Sequence, residues 1–470
     1  PVCNESNWRR ESQKEIKIKG CEIHNLFYYE PDKQFISEKM TTNIASLYET
    51  YIRGHRVTTD SRNIQPGDVF IALRGDNFNG NKFAQQALSQ GAATAIIDDP
   101  EFDNGEGYIL VENTLTFLQE TAAYHRHRLG IPILGITGTN GKTTTKELCY
   151  AVLSRRFKTV ATQGNLNNHI GVPLTLLSMD ETTEFGIVEM GANHPGEIKI
   201  LCDIADPDFG VITNIGQAHL EGFGSYENII STKKQLYDHI FRKKGKVFVN
   251  AKDPLLMELS RDHNRILYGK AEAYLKGELL QSIPYMVYEL KTLKGNLCIR
   301  TKLTGGYNFD NAMAASCIGT YFDVPAVSIQ HAIEDYRPSN LRSQLIKTAH
   351  NTIILDAYNA NPSSMAVALA NFAEMSAPHK TVVLGEMREL GQVSEEAHRK
   401  IIDILQENHF NTAFLVGNNF EHCSNNLNFI RYFKDTDALI VFLKNHPLQG
   451  SCILVKGSRG NQLERIVEYL

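Results

Sequence analysis

The chain has no Cys-x-x-Cys pair, and its eight cysteines, Cys3, Cys21, Cys149, Cys202, Cys298, Cys317, Cys423 and Cys452, are scattered over 470 residues. That excludes a reading built on paired cysteines and points to a reduced, cytoplasmic protein. No apolar run approaches the roughly 18 residues of a membrane span, and residues 1–39 hold no apolar stretch of the signal-peptide kind. Neither membrane insertion nor export is expected. There is also no long block of like charge: 48 Lys and Arg against 53 Asp and Glu leave a net charge of −5. The basic footprint of a nucleic-acid or membrane-surface binder is therefore missing. Internal repeats and low-complexity tracts are absent as well. Small-molecule chemistry is what these absences leave.

At about 150 residues per domain, a chain of this length with 42% hydrophobic residues predicts three domains. Residues 1–39 read as a polar extension, and a chain opening at Pro1 is expected to be incomplete or processed. From 40 to 111, short apolar runs such as "DVFIAL" and "ATAIIDD" flank the helical "KFAQQALSQGA", which predicts a small α/β domain. From 112 to 340, "PILGITG", "FGIVEMG", "DFGVITNIG" and "GKVFVNA" alternate with helix-length segments. Continuous apolar strands of this kind predict a doubly wound, mostly parallel sheet covered on both faces. The alternation repeats from 341 to 470 in "TIILDAY", "TVVLGEM", "TAFLVG" and "CILVKGS", predicting a second, Rossmann-like α/β domain.

The segment "ITGTNGKTTTKEL" carries the clearest chemistry. The Walker A spacing needs a glycine at 136, where Ile136 stands; the glycines are Gly135, Gly138 and Gly141. Strand, tight turn and helix nevertheless follow one another as a phosphate loop requires. Backbone N–H groups of Gly138, Thr139, Asn140, Gly141 and Thr144 would face an anion at the helix start. Lys142 would reach the β- and γ-phosphates, and the Thr143 hydroxyl would ligate Mg²⁺. The plain alternative is a glycine turn with an exposed lysine.

Ligands of α/β folds gather at the carboxyl ends of strands. There "FGIVEMGANHPGE" places Glu189, and "FGVITNIGQAHLEGFGS" places Asn214 and His219. A carboxylate and an imidazole beside phosphates could hold a second Mg²⁺; a capping glutamate and a surface histidine are the alternatives.

"GITGTNGKTTT", "EMGANHPGEI", "TNIGQAHLEGFGS", "DAYNANPSSM", "VVLGEMRELG" and "VKGSRGNQLE" together resemble the Mur ligase family, in order from Thr59 to Leu463. The resemblance implies an ATP-dependent amide ligase of peptidoglycan precursor synthesis, working as a monomer. It would join D-alanyl-D-alanine to UDP-N-acetylmuramoyl-tripeptide through an acyl phosphate. It also implies two Mg²⁺ sites, with Lys142 and Thr143 at the first and Glu189 and His219 at the second. Lys233 falls where the family has a lysine that CO₂ can carbamylate, and the adjacent Lys234 is the alternative in register. Asn308 and Asn311 match the adenine-contacting segment, where Tyr307 replaces the usual His. Arg342 and Asp356 would meet the nucleotide from the third domain. Asp60, Ser61 and Arg62, with Asn167, Asn168 and His169, resemble segments that bind the UDP-sugar-peptide. Asn79 and Asn81 depart from the family's Asp-Gly-His pattern. A polar asparagine run is equally a loop with turn-forming side chains.

The nearest enzyme alternative, the ligase adding the preceding amino acid, is expected to carry Asp-Asn-Pro-Arg in its last domain; that string is absent. Folylpolyglutamate and cyanophycin synthetases share the ATP loop but are not expected to match "YNANPSSM" and "LGEMRELG". A nucleotide-binding protein that has lost catalysis would not need both metal sites.

Overall fold

Continuous apolar runs become buried parallel strands, and three such sheets organise the chain. The computed structural model describes residues 44–270, 272–292, 295–339, 341–421, 423 and 427–470; the polar segment 1–39 lies outside them. The first sheet has four parallel strands in sequential order: β1 (Val57–Thr58), β2 (Val69–Ile71), β5 (Thr94–Ile97) and β6 (Tyr108–Leu110). Between β2 and β5 a short hairpin, β3 (Arg74–Gly75) and β4 (Phe78–Asn79), stands apart from it.

The central sheet runs β12-β11-β10-β7-β9-β8, all parallel, from β7 (Ile133–Thr137), β8 (Thr159–Ala161), β9 (Phe185–Glu189), β10 (Phe209–Ile212), β11 (Lys246–Asn250) and β12 (Arg265–Tyr268). Every residue of β7, β9 and β10 is buried, because helices cover both faces. Successive side chains feed opposite cores: Leu134 and Ile136 join Leu148, Val152 and Phe209 on one face, while Ile133 joins Val188, Ile212 and Leu236 on the other. The chain order reverses about β7, and that places a crevice at its carboxyl end.

An antiparallel sheet of β13 (Lys276–Gln281), β14 (Val287–Thr292) and β15 (Gly295–Arg300) was not anticipated by the reading of a mostly parallel domain. Its strands are half-buried: Tyr288 and Leu290 enter the core while Val287 and Glu289 are only partly covered.

The third sheet runs β16-β17-β21-β18-β19-β20, from β16 (Gln344–Lys347), β17 (Thr352–Asp356), β18 (Lys380–Gly385), β19 (Thr412–Val416), β20 (Ile430–Phe433) and β21 (Cys452–Lys456). Only the edge strand β16 is antiparallel. The expectation of α/β domains on mostly parallel sheets therefore holds, with antiparallel additions in the β3–β4 hairpin, the β13–β15 sheet and the edge strand β16. Among the described residues, no helix is long and apolar enough to cross a membrane.

Phe185 anchors the central core, with ring centroids 4.8 Å from Phe322 and 5.7 Å from Phe157. Phe185→Ala is expected to destabilise by about 3–5 kcal/mol, read as a lowered thermal midpoint; an unchanged midpoint would contradict this placement of the core.

Candidate active site

Four residues, Gly138, Thr139, Asn140 and Gly141, carry the chain from β7 into the helix Lys142–Leu153. The turn is pinned by the residues that follow β10. Thr139 N–H donates to the Asn214 carbonyl at 2.9 Å, Asn140 N–H to Asn214 Oδ1 at 3.0 Å, and Thr213 Oγ1 to the Asn140 carbonyl at 2.6 Å. Such closeness requires glycine. Gly138 has φ +148°, and a Cβ on it would lie 1.9 Å from Thr213 Oγ1. Gly141 has φ +81°, and a Cβ there would lie 2.5 Å from Asn311 Oδ1.

Two ammonium groups converge on this turn. Lys142 Nζ donates to the carbonyls of Gly138 (2.7 Å) and Thr139 (3.0 Å), and Lys233 Nζ donates to the same Gly138 carbonyl at 3.2 Å. Lys233 points inward from the helix Tyr226–Arg242 and is 3% exposed, whereas Lys234 turns outward to pair with Asp238. Desolvation lowers Lys142 to about 8, with Glu189 opposing and Arg342 adding to the fall. Desolvation, then the Lys142 charge, brings Lys233 to about 7.

Glu189 ends β9 beside the helix start. Its Oε1 accepts from Thr143 Oγ1 (3.2 Å) and Asn167 Nδ2 (2.8 Å). Its buried Oε2 has no hydrogen-bond partner, and Lys146 Nζ stands 3.9 Å away. A buried carboxylate oxygen left unpaired beside a threonine hydroxyl fits a hard divalent cation such as Mg²⁺. His219 is placed differently. It has φ +52° and its Nδ1 meets Glu389 Oε2 of the third domain. Burial lowers its pKa, Glu389 resists, and Lys142 and Lys233 lower it further. Among the described residues, no three His, Cys, Asp or Glu side chains cluster as a metal site.

Asn308 and Asn311 pack between helices. Asn311 Oδ1 accepts from Thr145 Oγ1 (3.1 Å), its Nδ2 donates to Asn308 Oδ1 (3.1 Å), and Asn308 Nδ2 donates to the Thr304 carbonyl (2.9 Å). Tyr307 shares a 2.6 Å hydrogen bond with Ser343. Arg342 lies 3.9 Å above the Tyr358 ring with its buried Nε unpartnered, while Asp356 Oδ2 accepts from Lys456 at 2.5 Å.

In the first domain, Arg62 grips Asp60 through Nε (2.8 Å) and Nη2 (2.9 Å), which holds Asp60 near pKa 2; Ser61 lies between them in the same turn. Asn168 Oδ1 caps the turn into the helix Gly171–Leu177, and His169 is exposed. Asn167 therefore reaches the site whereas Asn168 shapes the loop. Asn81 is 1% exposed and donates to Asp98 Oδ1 at 2.8 Å, with Asn79 capping the same turn, so both act in packing.

Several neighbours escaped the sequence reading. Lys146 lies one helical turn after Lys142, and that four-residue spacing was the available signal. Asn140 Nδ2 donates to Ser363 Oγ (3.0 Å) and Asn361 Nδ2 to Asn140 Oδ1 (2.9 Å), joining the loop to the third domain.

The match to "Mur ligase family, catalytic domain" covers residues 53–126, to "Mur ligase middle domain" 136–319, and to "Mur ligase, glutamate ligase domain" 341–459. The UDP-N-acetylmuramoyl-tripeptide--D-alanyl-D-alanine ligase of Bacillus subtilis is 34% identical over 430 residues, covering 88% of this chain and 93% of that protein. The chain belongs to the Mur ligase family. As a member it is an ATP-dependent ligase. Among solved structures, MurF from Acinetobacter baumannii is similar with TM-score 0.79 and 31% identity, over 88% of this chain and 92% of that one. MurF ligase from Thermotoga maritima, solved in complex with ADP, matches with TM-score 0.77 and 27% identity, over 88% and 96%.

Gly138→Ala must distort the pinned turn, so ATP-dependent phosphate release should fall by about 10²-fold with far-UV circular dichroism unchanged. Wild-type turnover in this variant would contradict the geometry.

Proposed function

We propose that the chain joins D-alanyl-D-alanine to UDP-N-acetylmuramoyl-tripeptide with ATP, in the cytoplasm, as a monomer, in peptidoglycan precursor synthesis. The observation that carries the reading is the convergence of Lys142 and Lys233 on the Gly138 carbonyl, in a chain whose similarity to ligases of that name spans nearly their whole length. Six described cysteines, all free, support a reduced compartment. The domains follow as 40–111 for the UDP-linked substrate, 112–340 for ATP and 341–470 for ligation.

Gly138, Thr139, Asn140, Gly141 and Thr144 would border the phosphates; because the Thr139 and Asn140 N–H groups donate to Asn214, the N–H groups that meet the anion would be those of Gly141 and the helix start, with Lys142 neutralising its charge. Thr143 and Glu189, expected at separate ions but hydrogen-bonded to each other, would hold one Mg²⁺, and His219, with Nδ1 engaged by Glu389, would offer Nε2 to a second. When bound, the ions neutralise phosphate charge and fix the orientation of the oxygens. The tripeptide's terminal carboxylate oxygen attacks the γ-phosphorus and ADP leaves. The dipeptide amine then attacks the acyl carbon, losing a proton as inorganic phosphate departs. Activation is required because a carboxylate is otherwise a poor acylating agent, and the protein's part is positioning and charge.

An amine must be neutral to attack CO₂, and burial with Lys142 nearby provides that at Lys233 near neutral pH. We therefore assign Lys233 as a carbamylated lysine. Asn308, Asn311, Arg342 and Asp356 would border the nucleotide, and Asp60, Ser61, Arg62, Asn167, Asn168 and His169 the UDP-sugar-peptide.

Phosphate release from ATP and Mg²⁺ with the tripeptide nucleotide should require D-alanyl-D-alanine and yield the pentapeptide nucleotide by mass analysis. Turnover only with a single amino acid and a shorter precursor would overturn the substrate assignment. Lys142→Ala should lower the rate about 10²–10³-fold. Lys233→Ala should be partly restored by short carboxylic acids; no restoration would remove the carbamate.

A further inference from the structure

The turn that follows β18 carries the third domain to His219. At its tip Glu389 has φ +61°, its Oε2 lies against His219 Nδ1, and its carbonyl accepts from Glu221 N–H at 3.5 Å. A residue other than glycine stays in the left-handed region only where its surroundings hold it there. Hydrogen bonds tie the base of the turn to its own domain. Glu386 N–H donates to the Val416 carbonyl at 2.9 Å, and Asn461 Nδ2 to the Glu386 carbonyl at 2.9 Å. Arg388 N–H donates to Ser458 Oγ at 3.1 Å, and Met387 N–H to His398 Nε2 at 2.9 Å.

The histidine is the unusual partner. His398 lies on the helix Ser394–Glu407 and is 0% exposed, in a core position that leucine or isoleucine would ordinarily fill. Its ring meets Phe420 edge-on, with centroids 4.7 Å apart at 87°. Nδ1 donates to the Ser394 carbonyl at 2.7 Å, so Nδ1 carries the proton and Nε2 is left as an acceptor. Burial lowers its pKa, with the Ser394 carbonyl and Glu386 opposing. The ring is therefore fixed in place and in tautomer. Met387 is 1% exposed, and any side chain at 398 without an acceptor would leave its N–H unpaired in the core.

Packing alone does not call for an imidazole here; an acceptor for the Met387 N–H does. We propose that His398 is a positioning residue for ligation: by accepting from Met387 N–H it sets the turn that presents Glu389 to His219. It acts from within the third domain's core, through the backbone of the turn. The inference rests on the ligase reading above and on the place of His219 in it.

The test is steady-state ligation together with hydrogen–deuterium exchange, both on the full chain. Wild type is compared with His398→Leu, His398→Asn, His398→Gln, Glu389→Ala, the double variant of His398→Leu with Glu389→Ala, and Ile401→Ala, a truncation of a buried residue on the same helix. Leucine keeps the bulk and removes the acceptor, asparagine ends its amide where Nδ1 stands, and glutamine carries an oxygen to the place of Nε2. His398→Leu and His398→Asn should each lower kcat about 10–100-fold, leave KM for ATP within about twofold, and raise exchange in residues 386–391. His398→Gln should recover most of both losses. In the double variant His398→Leu should add less than about twofold to the loss from Glu389→Ala, because both remove one contact. Ile401→Ala should lower the thermal midpoint and leave kcat and that exchange at wild-type levels. Wild-type kcat and exchange in the leucine and asparagine variants would overturn the proposal, as would losses that multiply in full in the double variant. So would an Ile401→Ala variant that reproduces them, which would make His398 an ordinary core residue. Absence of dipeptide-dependent turnover in the wild type would remove the ligase reading; raised exchange at 386–391 that glutamine restores would still support His398 as the residue that sets the turn.

Discussion

One carbonyl oxygen, that of Gly138, accepts from two lysines, and the rest of the site is arranged around this arrangement of charge. Two ammonium groups so close repel each other, and partial burial removes the water that would screen them. Desolvation lowers both pKa values, with Arg342 adding to the fall and Glu189 opposing it at Lys142, and the Lys142 charge adding to it at Lys233. Glu189 is the carboxylate that offsets Lys142, and its Oε2 accepts no hydrogen bond among the described residues. A polyanion carried with a divalent cation would satisfy Lys142 and the carboxylate at once. The backbone meets the same need, because glycine at 138 and 141 lets the turn lie against Thr213 and Asn311 with its N–H groups at the helix start.

The third domain is bonded to the loop itself. Asn361 caps the helix Pro362–Glu374 in a capping box and also donates to Asn140, while Ser363 accepts from Asn140. A second link joins His219 to Glu389. A shift of the third domain therefore perturbs the phosphate turn directly, and coupling between nucleotide and domain arrangement needs no longer route.

Much of this was legible in the sequence, for a physical reason. Strands buried on both faces, such as β7 and β9, must be continuous apolar runs, and the polar residues beyond them, Lys142 after the turn that follows β7 and Glu189 at the end of β9, stand out against that background. The antiparallel β13–β15 sheet was not legible: β14 buries Tyr288 and Leu290 but not Glu289, and that alternation is weaker than a continuous run. Side-chain partners were harder still. Asp356 is held by Lys456 and Asn311 by Thr145, each pairing residues far apart in sequence, which no local spacing encodes.

The central claim is that the loop is a positively charged cradle completed by a nucleotide's phosphates. Calorimetry of Mg-nucleotide binding at pH 8, in buffers of different ionisation enthalpy, measures it most directly. Lys142, near 8 in the free protein, is about half protonated there; a bound polyanion raises its pKa, so binding must take up a fraction of a proton, and Lys142→Ala must abolish that share. Binding with no proton uptake, or uptake unchanged in Lys142→Ala, would contradict the account.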